Sequence, residues 1–199
     1  RSSDLAELTW VEQFLETHDV DLVVANHNAP RQAVLSGVTE EIERVQDLLS
    51  REEINVKRLP VAAAFHSSLV AQAGAPFAES LTSIELTGGD VPVYAGATGI
   101  MYPERSAEAR ELLAGQLTSP VDFVRCVKSM FDDGVRTFVE VGPGRRLCAL
   151  IDEILADEDV TTVAIDASVG HRAGFVDLGR TLAQLAANGH SVALKRWDE

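Results

Sequence analysis

The sequence predicts an α/β protein that begins with a small ferredoxin-like α+β subdomain. Two observations support this fold class. Within the first 60 residues the hydrophobic patterns run in the order helix, strand, strand, helix, strand, which suits antiparallel strands with helices on one face. Beyond residue 130, strand and helix patterns alternate as they do in an open parallel sheet. We therefore expect one α+β part and one α/β part.

Apolar spacing and turn chemistry place the elements of the first part. Apolar residues recur at helical intervals over residues 9–17, which predicts the first helix. Residues 21–25 (DLVVA) predict a strand, and residues 26–30 (NHNAP) predict a turn, because Asn tolerates left-handed dihedrals and Pro fixes φ. The remaining elements predicted here are a strand at 32–36, a helix from Thr39 onward and a strand at 55–59.

The pattern changes near residue 60. An apolar run at 61–65 leads to His66, and the helical stretch that follows is expected to break at Gly74 and Pro76. Ser106 is the expected N-cap of a later helix. The other predicted elements are strands at 91–94, 137–141 and 162–165 and helices at 106–117, 121–131, 147–155 and 175–187.

The composition excludes several classes of protein. The chain has 199 residues, of which 46% are hydrophobic and 24% charged, as is ordinary for a globular protein. Its formal net charge of −14 would repel nucleic acid and anionic lipid. The longest apolar stretches are about five residues, far below the roughly 20 that span a bilayer. We expect a cytoplasmic protein without nucleic-acid or membrane partners, with Cys126 and Cys148 as reduced core residues.

His66 is the first candidate for chemistry. It follows an apolar run and precedes a serine-rich turn, and a strand end in an α/β sheet presents such a side chain to a cleft. On these residues alone, however, a histidine that makes an ordinary structural hydrogen bond is the preferred interpretation. Ser67 and Ser68 precede a helical stretch, where serine typically caps backbone amides. No Gly-x-Ser-x-Gly elbow occurs in these 199 residues, so the sequence offers no serine nucleophile of that type.

The turn at Gly142, Pro143 and Gly144 provides a second hypothesis, because a glycine turn between a strand and a helix directs amides toward an anion. Asp166 resembles the ribose-binding acid of dinucleotide folds. However, Leu147 occupies the third glycine position of that fingerprint and Pro143 has no amide proton, so a structural turn is preferred. The five histidines lack the spacing of a metal motif, and no metal site is predicted.

Four short segments occur in a fixed order over about 120 residues. They are 26–37 (NHNAPRQAVLSG), 59–67 (LPVAAAFHS), 116–121 (QLTSPV) and 138–144 (FVEVGPG). Together they resemble the acyltransferase domain of fatty acid and polyketide synthases, the malonyl-CoA:acyl carrier protein transacylase family. Residues 178–197 are similar to the segment that follows such domains in polyunsaturated fatty acid and enediyne-type synthases.

The resemblance implies a division of the chain. In this family an α/β-hydrolase-like core carries an inserted ferredoxin-like subdomain. Residues 1–60 would then form the ferredoxin-like subdomain, and residues 61–170 would form the C-terminal part of the hydrolase-like core. Residues 171–199 would form the helix and linker that follow the acyltransferase core.

The resemblance also implies a mechanism. A serine takes the acyl group from malonyl-CoA and passes it to the phosphopantetheine thiol of an acyl carrier protein. His66 matches the family's general base, and Gln116 matches the position whose main-chain carbonyl holds the histidine ring. Val61 and Phe65 match positions near the acyl pocket, where a bulky Phe65 is typical of malonyl-selective relatives.

The match leaves other parts of the site outside this sequence. Asn26 and Asn28 fall near the mouth of the site in the family and are equally suited to a turn. The serine elbow, the malonyl-binding arginine and the oxyanion loop are expected upstream of Arg1, so we expect no transfer by this chain alone. Expected partners are the N-terminal half of the domain, the carrier protein and adjacent synthase domains, with no bound cofactor. The alternative is a non-catalytic segment that docks a carrier protein or neighbouring domains.

Overall fold

The computed structural model describes residues 7–60, 65–87 and 89–193. It divides into two compact units, Arg1–Met130 and Phe131–Glu199. Each unit combines helices with a small sheet, as the sequence predicts for an α/β protein. Within the described ranges, every helix is too short or too polar to cross a bilayer.

The first unit opens with two helices packed on a β-hairpin. The elements are α1 (Leu8–Thr17), β1 (Leu22–Ala29), β2 (Gln32–Gly37) and α2 (Thr39–Arg51). β1 and β2 pair antiparallel, which confirms the predicted order of helix, strand, strand and helix. The apolar faces of these elements bury one cluster of side chains, namely Phe14, Leu15, Leu22, Val45 and Leu49. Removal of this apolar surface from water, at roughly 25 cal/mol per Å², holds the layer together.

The turn predicted at residues 26–30 is wrong. β1 continues through both asparagines to Ala29, and the chain reverses at Pro30 and Arg31. β1 has a partner on each edge, because it also pairs in parallel with a two-residue strand, β3 (Val121–Asp122). Pairing on both edges outweighs the low strand propensity of asparagine.

The strand predicted at residues 55–59 is also wrong. These residues follow α2 without strand pairing in the part of the chain that the structure describes. Val56 packs against the hydrophobic cluster of the hairpin layer, and Arg58 forms an ion pair with Glu43 of α2 at 2.8 Å. The apolar pattern therefore reflects packing on a neighbouring layer and not a place in the sheet.

The helical break predicted near Gly74 and Pro76 is confirmed at Gly74. A 3₁₀ helix (Ser68–Ala73) ends there, and α3 (Gly74–Leu81) begins. Pro76 lies in the first turn of α3, where a missing backbone N–H breaks no intrahelical hydrogen bond.

The strand predicted at residues 91–94 is reduced to one antiparallel bridge, between Tyr94 and Met101. Around this bridge the backbone forms a tight loop over residues 93–102, which we call the 93–102 hairpin. Gly99 adopts φ +69° at its turn, and a Cβ there would lie 2.4 Å from the Arg125 side chain. Both the dihedral and the close approach require glycine at this position.

The two helices after this hairpin differ from their predicted bounds. α4 (Ser106–Gly115) ends two residues before the predicted end at residue 117, because glycine is a poor helix former and the following residues turn. α5 (Phe123–Asp132) begins two residues later than predicted, because Val121 and Asp122 are used as β3.

Ser106 is not the N-cap that the sequence predicts. Arg105 occupies the N-cap position and makes no capping bond with its side chain. The Ser106 hydroxyl instead accepts hydrogen bonds from the backbone N–H of Leu86 and from the Arg110 guanidinium. The serine therefore fastens the start of α4 to the loop before it.

The second unit is a pair of parallel strands with helices packed on them. Its elements are β4 (Thr137–Pro143), α6 (Arg146–Ile154), β5 (Thr161–Asp166) and α7 (Gly174–Ala187). The parallel pairing of β4 with β5 confirms the predicted parallel arrangement. Cys148 is fully buried against β5, and Cys126 is buried in the first unit, so both are core residues without a disulfide bond, as predicted.

Candidate active site

His66 lies two residues before the 3₁₀ helix, in an unusual backbone conformation. Its φ is +60°, in the left-handed region that costs energy for residues other than glycine. Its backbone N–H donates a hydrogen bond to the carbonyl oxygen of Leu117 at 3.1 Å. The turn that contains Leu117, which is distant in the sequence, thus helps to hold His66 in this strained conformation.

Two further carbonyls of the same turn hold the imidazole ring. Nδ1 of His66 lies 2.9 Å from the carbonyl oxygen of Gln116 and 3.0 Å from that of Ser119. Because carbonyl oxygens only accept hydrogen bonds, Nδ1 carries the proton, and Nε2 of the neutral ring is left with its lone pair. This is the tautomer that a general base needs at Nε2.

The carbonyl groups are available because α4 ends just before them. Gln116 is the C-cap residue of α4 and Ser119 lies beyond it, so neither carbonyl is used in the helical hydrogen bonds of α4. The backbone N–H groups of Thr118 and Ser119 both donate to the carbonyl of Gly115, which folds residues 116–119 into a tight turn. We call these four residues the carbonyl turn. Its carbonyl oxygens accept the Nδ1 proton of His66, as the carboxylate of a catalytic triad accepts the proton of its histidine.

The side chain of Gln116 has a partner that the sequence analysis missed. Its amide Nε2 donates a hydrogen bond to the hydroxyl of Tyr102. Burial raises the pKa of Tyr102, and the Gln116 contact partly opposes this rise. The tyrosine therefore stays protonated at neutral pH and can accept the bond from the amide.

Of the two serines beside His66, Ser67 has the capping geometry that the sequence predicts. Ser67 is buried, and its hydroxyl accepts a hydrogen bond from the backbone N–H of Leu69 at 3.3 Å, at the start of the 3₁₀ helix. Ser68 is the exposed first residue of that helix. This geometry gives Ser67 a structural role.

The other predicted site residues lie at different distances from the ring. Asn26 of β1 pairs with Val121 of β3. Val121 follows Ser119 by only two residues, so Asn26 lies beside the end of the carbonyl turn. Asn28 lies farther along β1 and is half-buried. Phe65 is 54% exposed next to His66. Val61 lies outside the described residues.

The carbonyls of Leu117 and Ser119 and the hydroxyl of Tyr102 were not predicted from the sequence. The motif QLTSP contains one usable signal, because the residue before Pro120 avoids helical dihedrals and a helix must end before it. That rule indicates a helix end with unpaired carbonyls near residue 119. The contact with Tyr102 is tertiary and has no signal in the sequence.

The profile of the acyl transferase domain matches residues 1–187 of the chain. The chain belongs to this acyl transferase family. The resemblance stated from the sequence is thereby confirmed.

Known members show how much of the acyl transferase domain the chain covers. A polyunsaturated fatty acid synthase polypeptide of Thraustochytrium sp. is 31% identical over 179 residues, which are 88% of this chain and 6% of that protein. Malonyl CoA-acyl carrier protein transacylase of Bacillus subtilis is 33% identical over 153 residues, 75% of this chain and 47% of that protein. The acyltransferase domain from the second module of the salinomycin polyketide synthase superposes with a TM-score of 0.84 at 25% identity, covering 96% of this chain and 44% of that one. The chain spans about half the length of the transacylase and of the salinomycin domain.

In this acyl transferase chain, the backbone amides that follow the glycine turn bind a carboxylate of the chain itself. Glu140 on β4 accepts hydrogen bonds from the backbone N–H groups of Arg146 and Cys148, at 3.2 and 2.9 Å, at the start of α6. Desolvation acts to raise the pKa of Glu140, but these amide hydrogen bonds outweigh it and lower the pKa. Because Glu140 already satisfies the helix N-terminus, the geometry supports the structural turn and disfavours the nucleotide hypothesis. In the part of the chain described, no three His, Cys, Asp or Glu side chains are grouped to hold a metal ion.

Glu140→Gln is expected to lower the free energy of unfolding by about 0.5–2 kcal/mol at neutral pH, the usual effect of losing a helix cap. The folded-state pKa lies below the unfolded one, so the contribution is present above the ordinary glutamate pKa of about 4.3. It is lost as the pH falls through the lowered folded pKa. Urea unfolding from pH 7 to about pH 3 measures this, with exposed Glu153→Gln as the control. An equal deficit at every pH would contradict the carboxylate cap.

Proposed function

We propose that the chain is the C-terminal half of an acyltransferase domain that moves a malonyl group from CoA to the phosphopantetheine thiol of an acyl carrier protein. One observation carries this proposal: Nδ1 of His66 lies 2.9 and 3.0 Å from two main-chain carbonyl oxygens, which can only accept its proton. Nε2 is thereby prepared to accept a proton from a nucleophile. The family supplies that nucleophile as a serine, which we place upstream of Arg1.

The reaction then proceeds in two substitutions through a serine ester. Nε2 of His66 takes the serine hydroxyl proton while the oxygen attacks the thioester carbon, and the C–S bond to CoA breaks. The imidazolium returns its proton to the departing CoA sulfur. In the second half, Nε2 takes the proton of the phosphopantetheine thiol, the sulfur attacks the ester carbon, the C–O bond to the serine breaks, and the imidazolium returns the proton to the serine oxygen. The carbonyls of Gln116 and Ser119 stabilise the positive ring in both halves.

Three potential nucleophiles among the described residues, Ser67, Cys126 and Cys148, are poorly suited to that role. Ser67 is buried and already caps the 3₁₀ helix. Burial raises the pKa of the thiols of Cys126 and Cys148, so the reactive thiolate is disfavoured in both. These features support a divided site, with its base here and its nucleophile in the N-terminal half of the domain.

We assign the acyl pocket and its mouth by the family match. Val61 and Phe65 are proposed to line the pocket, and Asn26 and Asn28 are proposed to lie near its mouth. Phe65 is adjacent to His66 and more than half exposed, which supports a ring that contacts substrate or the missing half of the domain. No bound cofactor is needed, because CoA and phosphopantetheine enter as substrate and partner.

The same proposal extends to the architecture and the partners. We take the helix-strand-strand-helix layer within residues 1–60 as the larger part of a ferredoxin-like subdomain. The parallel pair β4 and β5 belongs, in this proposal, to an α/β-hydrolase-like core within residues 61–170, and residues 171–199 form the following helix and linker. The partners would be the N-terminal half of the domain, a carrier protein and adjacent synthase domains, all in the cytoplasm.

Competition between two substrates tests this function. The complete acyltransferase domain is given malonyl-CoA and methylmalonyl-CoA together with a holo carrier protein, and the acyl groups on the carrier are measured by mass spectrometry. We expect malonyl transfer to dominate, and Phe65→Ala to raise the methylmalonyl share about tenfold, the usual worth of one methyl group in an apolar pocket. Exposed Leu69→Ala, on the 3₁₀ helix, is the control. No transfer of either group would refute the proposed function.

A further inference from the structure

We propose that Tyr102 is a positioning residue for His66 and that it acts through the side chain of Gln116. Its part in acyl transfer rests on the proposed function, whereas its effect on the imidazole ring does not. The family match assigns a role only to the main-chain carbonyl of Gln116. The structure adds a side-chain contact that connects this carbonyl to a second element of the fold.

The connection from Tyr102 to the ring passes through a single residue. The Tyr102 hydroxyl accepts a hydrogen bond from Nε2 of Gln116, and the Gln116 carbonyl accepts the Nδ1 proton of His66. Apart from the bonds to His66 itself, the bonds that shape the carbonyl turn are short-range, since Gln116 N–H donates to Leu113 and Ser119 donates to Gly115. The Tyr102 contact therefore fixes the position of the carbonyl turn relative to the 93–102 hairpin, whereas the short-range bonds fix only its local conformation.

Tyr102 is suited to this task because its own backbone is fixed. The N–H of Tyr102 donates to the carbonyl of Val93, and the N–H of Ala95 donates to the carbonyl of Ile100, both at 2.8 Å, which closes the 93–102 hairpin. The N–H of Asp122 donates to the carbonyl of Gly96, also at 2.8 Å, and joins the hairpin to β3. The tyrosine hydroxyl thus extends from a braced hairpin to the carbonyl turn.

The ring needs such bracing for two reasons. His66 has an unfavourable positive φ, which persists only where surrounding contacts hold it. In water, the neutral imidazole ring favours the proton on Nε2, so the reverse tautomer depends on carbonyls that stay in place. Loss of the Tyr102 hydroxyl frees the Gln116 side chain and lets the main-chain carbonyl of Gln116 move. The His66 ring then prefers the Nδ1–H tautomer less strongly.

The test measures the tautomer of His66 in the 199-residue chain by nitrogen NMR of labelled histidine, at a pH where the ring is neutral. The His66 signal is assigned by its loss in His66→Ala. The variants are Tyr102→Phe, Gln116→Ala and the double variant, since alanine at position 116 keeps the carbonyl. Thr98→Ala is the matched control, because it removes a hydroxyl contact to Ile100 within the same hairpin without touching Gln116. Thermal unfolding of every variant reports its stability.

We expect each single variant to shift the tautomer ratio toward Nε2–H by about three- to tenfold, the net effect of one hydrogen bond. The double variant should shift it no further, because both changes break the same contact. Thr98→Ala should leave the ratio unchanged. An unchanged ratio in Tyr102→Phe would overturn the proposal, whether or not the melting temperature falls. Since no acyl transfer is measured, this failure is distinct from a failure of the proposed function.

Discussion

His66→Ala is expected to lower kcat for malonyl transfer by the complete acyltransferase domain about 10²- to 10⁴-fold, the usual contribution of a general base. The expectation follows from the geometry of the ring, whose Nδ1 is committed to the carbonyls of Gln116 and Ser119. In the proposed mechanism, loss of the imidazole leaves neither the serine hydroxyl nor the carrier thiol with an acceptor for its proton. The rate is measured as carrier protein acylated per unit time, at saturating malonyl-CoA.

Two controls separate the role of the base from general damage to the fold. His171→Ala removes an exposed histidine from the second unit and should leave kcat within twofold. Gln116→Ala keeps the carbonyl that holds the ring, so its loss should stay within about tenfold. A His66→Ala domain that retains more than a tenth of the wild-type kcat would refute His66 as the base.

Phe14→Ala is expected to lower the free energy of unfolding by about 3–5 kcal/mol, the usual cost of a buried Phe-to-Ala change. Phe14 is 7% exposed, and its ring lies 5.0 Å from that of Trp10 and 4.1 Å from that of His18. It forms part of the hydrophobic cluster under the β-hairpin, and β1 of that hairpin pairs with β3. Weakening this layer therefore also weakens the support of the segment that follows the carbonyl turn.

Denaturant unfolding of Phe14→Ala and Phe175→Ala provides the measurement. Phe175 is the matched control, since it is a phenylalanine in a helix with 67% of its surface exposed. Its replacement should change the free energy of unfolding by less than about 0.5 kcal/mol. Similar losses for the two variants would show that the cluster around Phe14 does not carry the stability of this layer.

The helices and the main strands were predictable because their patterns are local. α1, α2, α6 and α7 have apolar residues at helical spacing, and the parallel pair β4 and β5 alternates with helices as predicted. The errors arose where distant partners decide the outcome. Residues 26–29 are strand because β3 pairs with β1 from almost a hundred residues away, and residues 55–59 pack on a layer without a strand partner.

The candidate site shows the same division. The position of His66 after an apolar run marked it as a candidate, and the family match added the carbonyl of Gln116. The carbonyl of Ser119 and the hydroxyl of Tyr102 depend on where α4 ends and on how the 93–102 hairpin closes. Those contacts are tertiary. A pattern of residue types does not encode them, although the proline after Ser119 indicates the helix end.

The central claim is that the chain carries the base of a divided acyltransferase site. Intact-protein mass after incubation with malonyl-CoA tests it most directly, on the 199-residue chain and on a form extended upstream by about 100 residues, one further subdomain. We predict a malonyl adduct on the extended form alone, and its loss in the extended form with His66→Ala. An adduct on the 199-residue chain would contradict the account, because its nucleophile would then lie among these residues. No adduct on the extended form would instead support a scaffold without transfer activity.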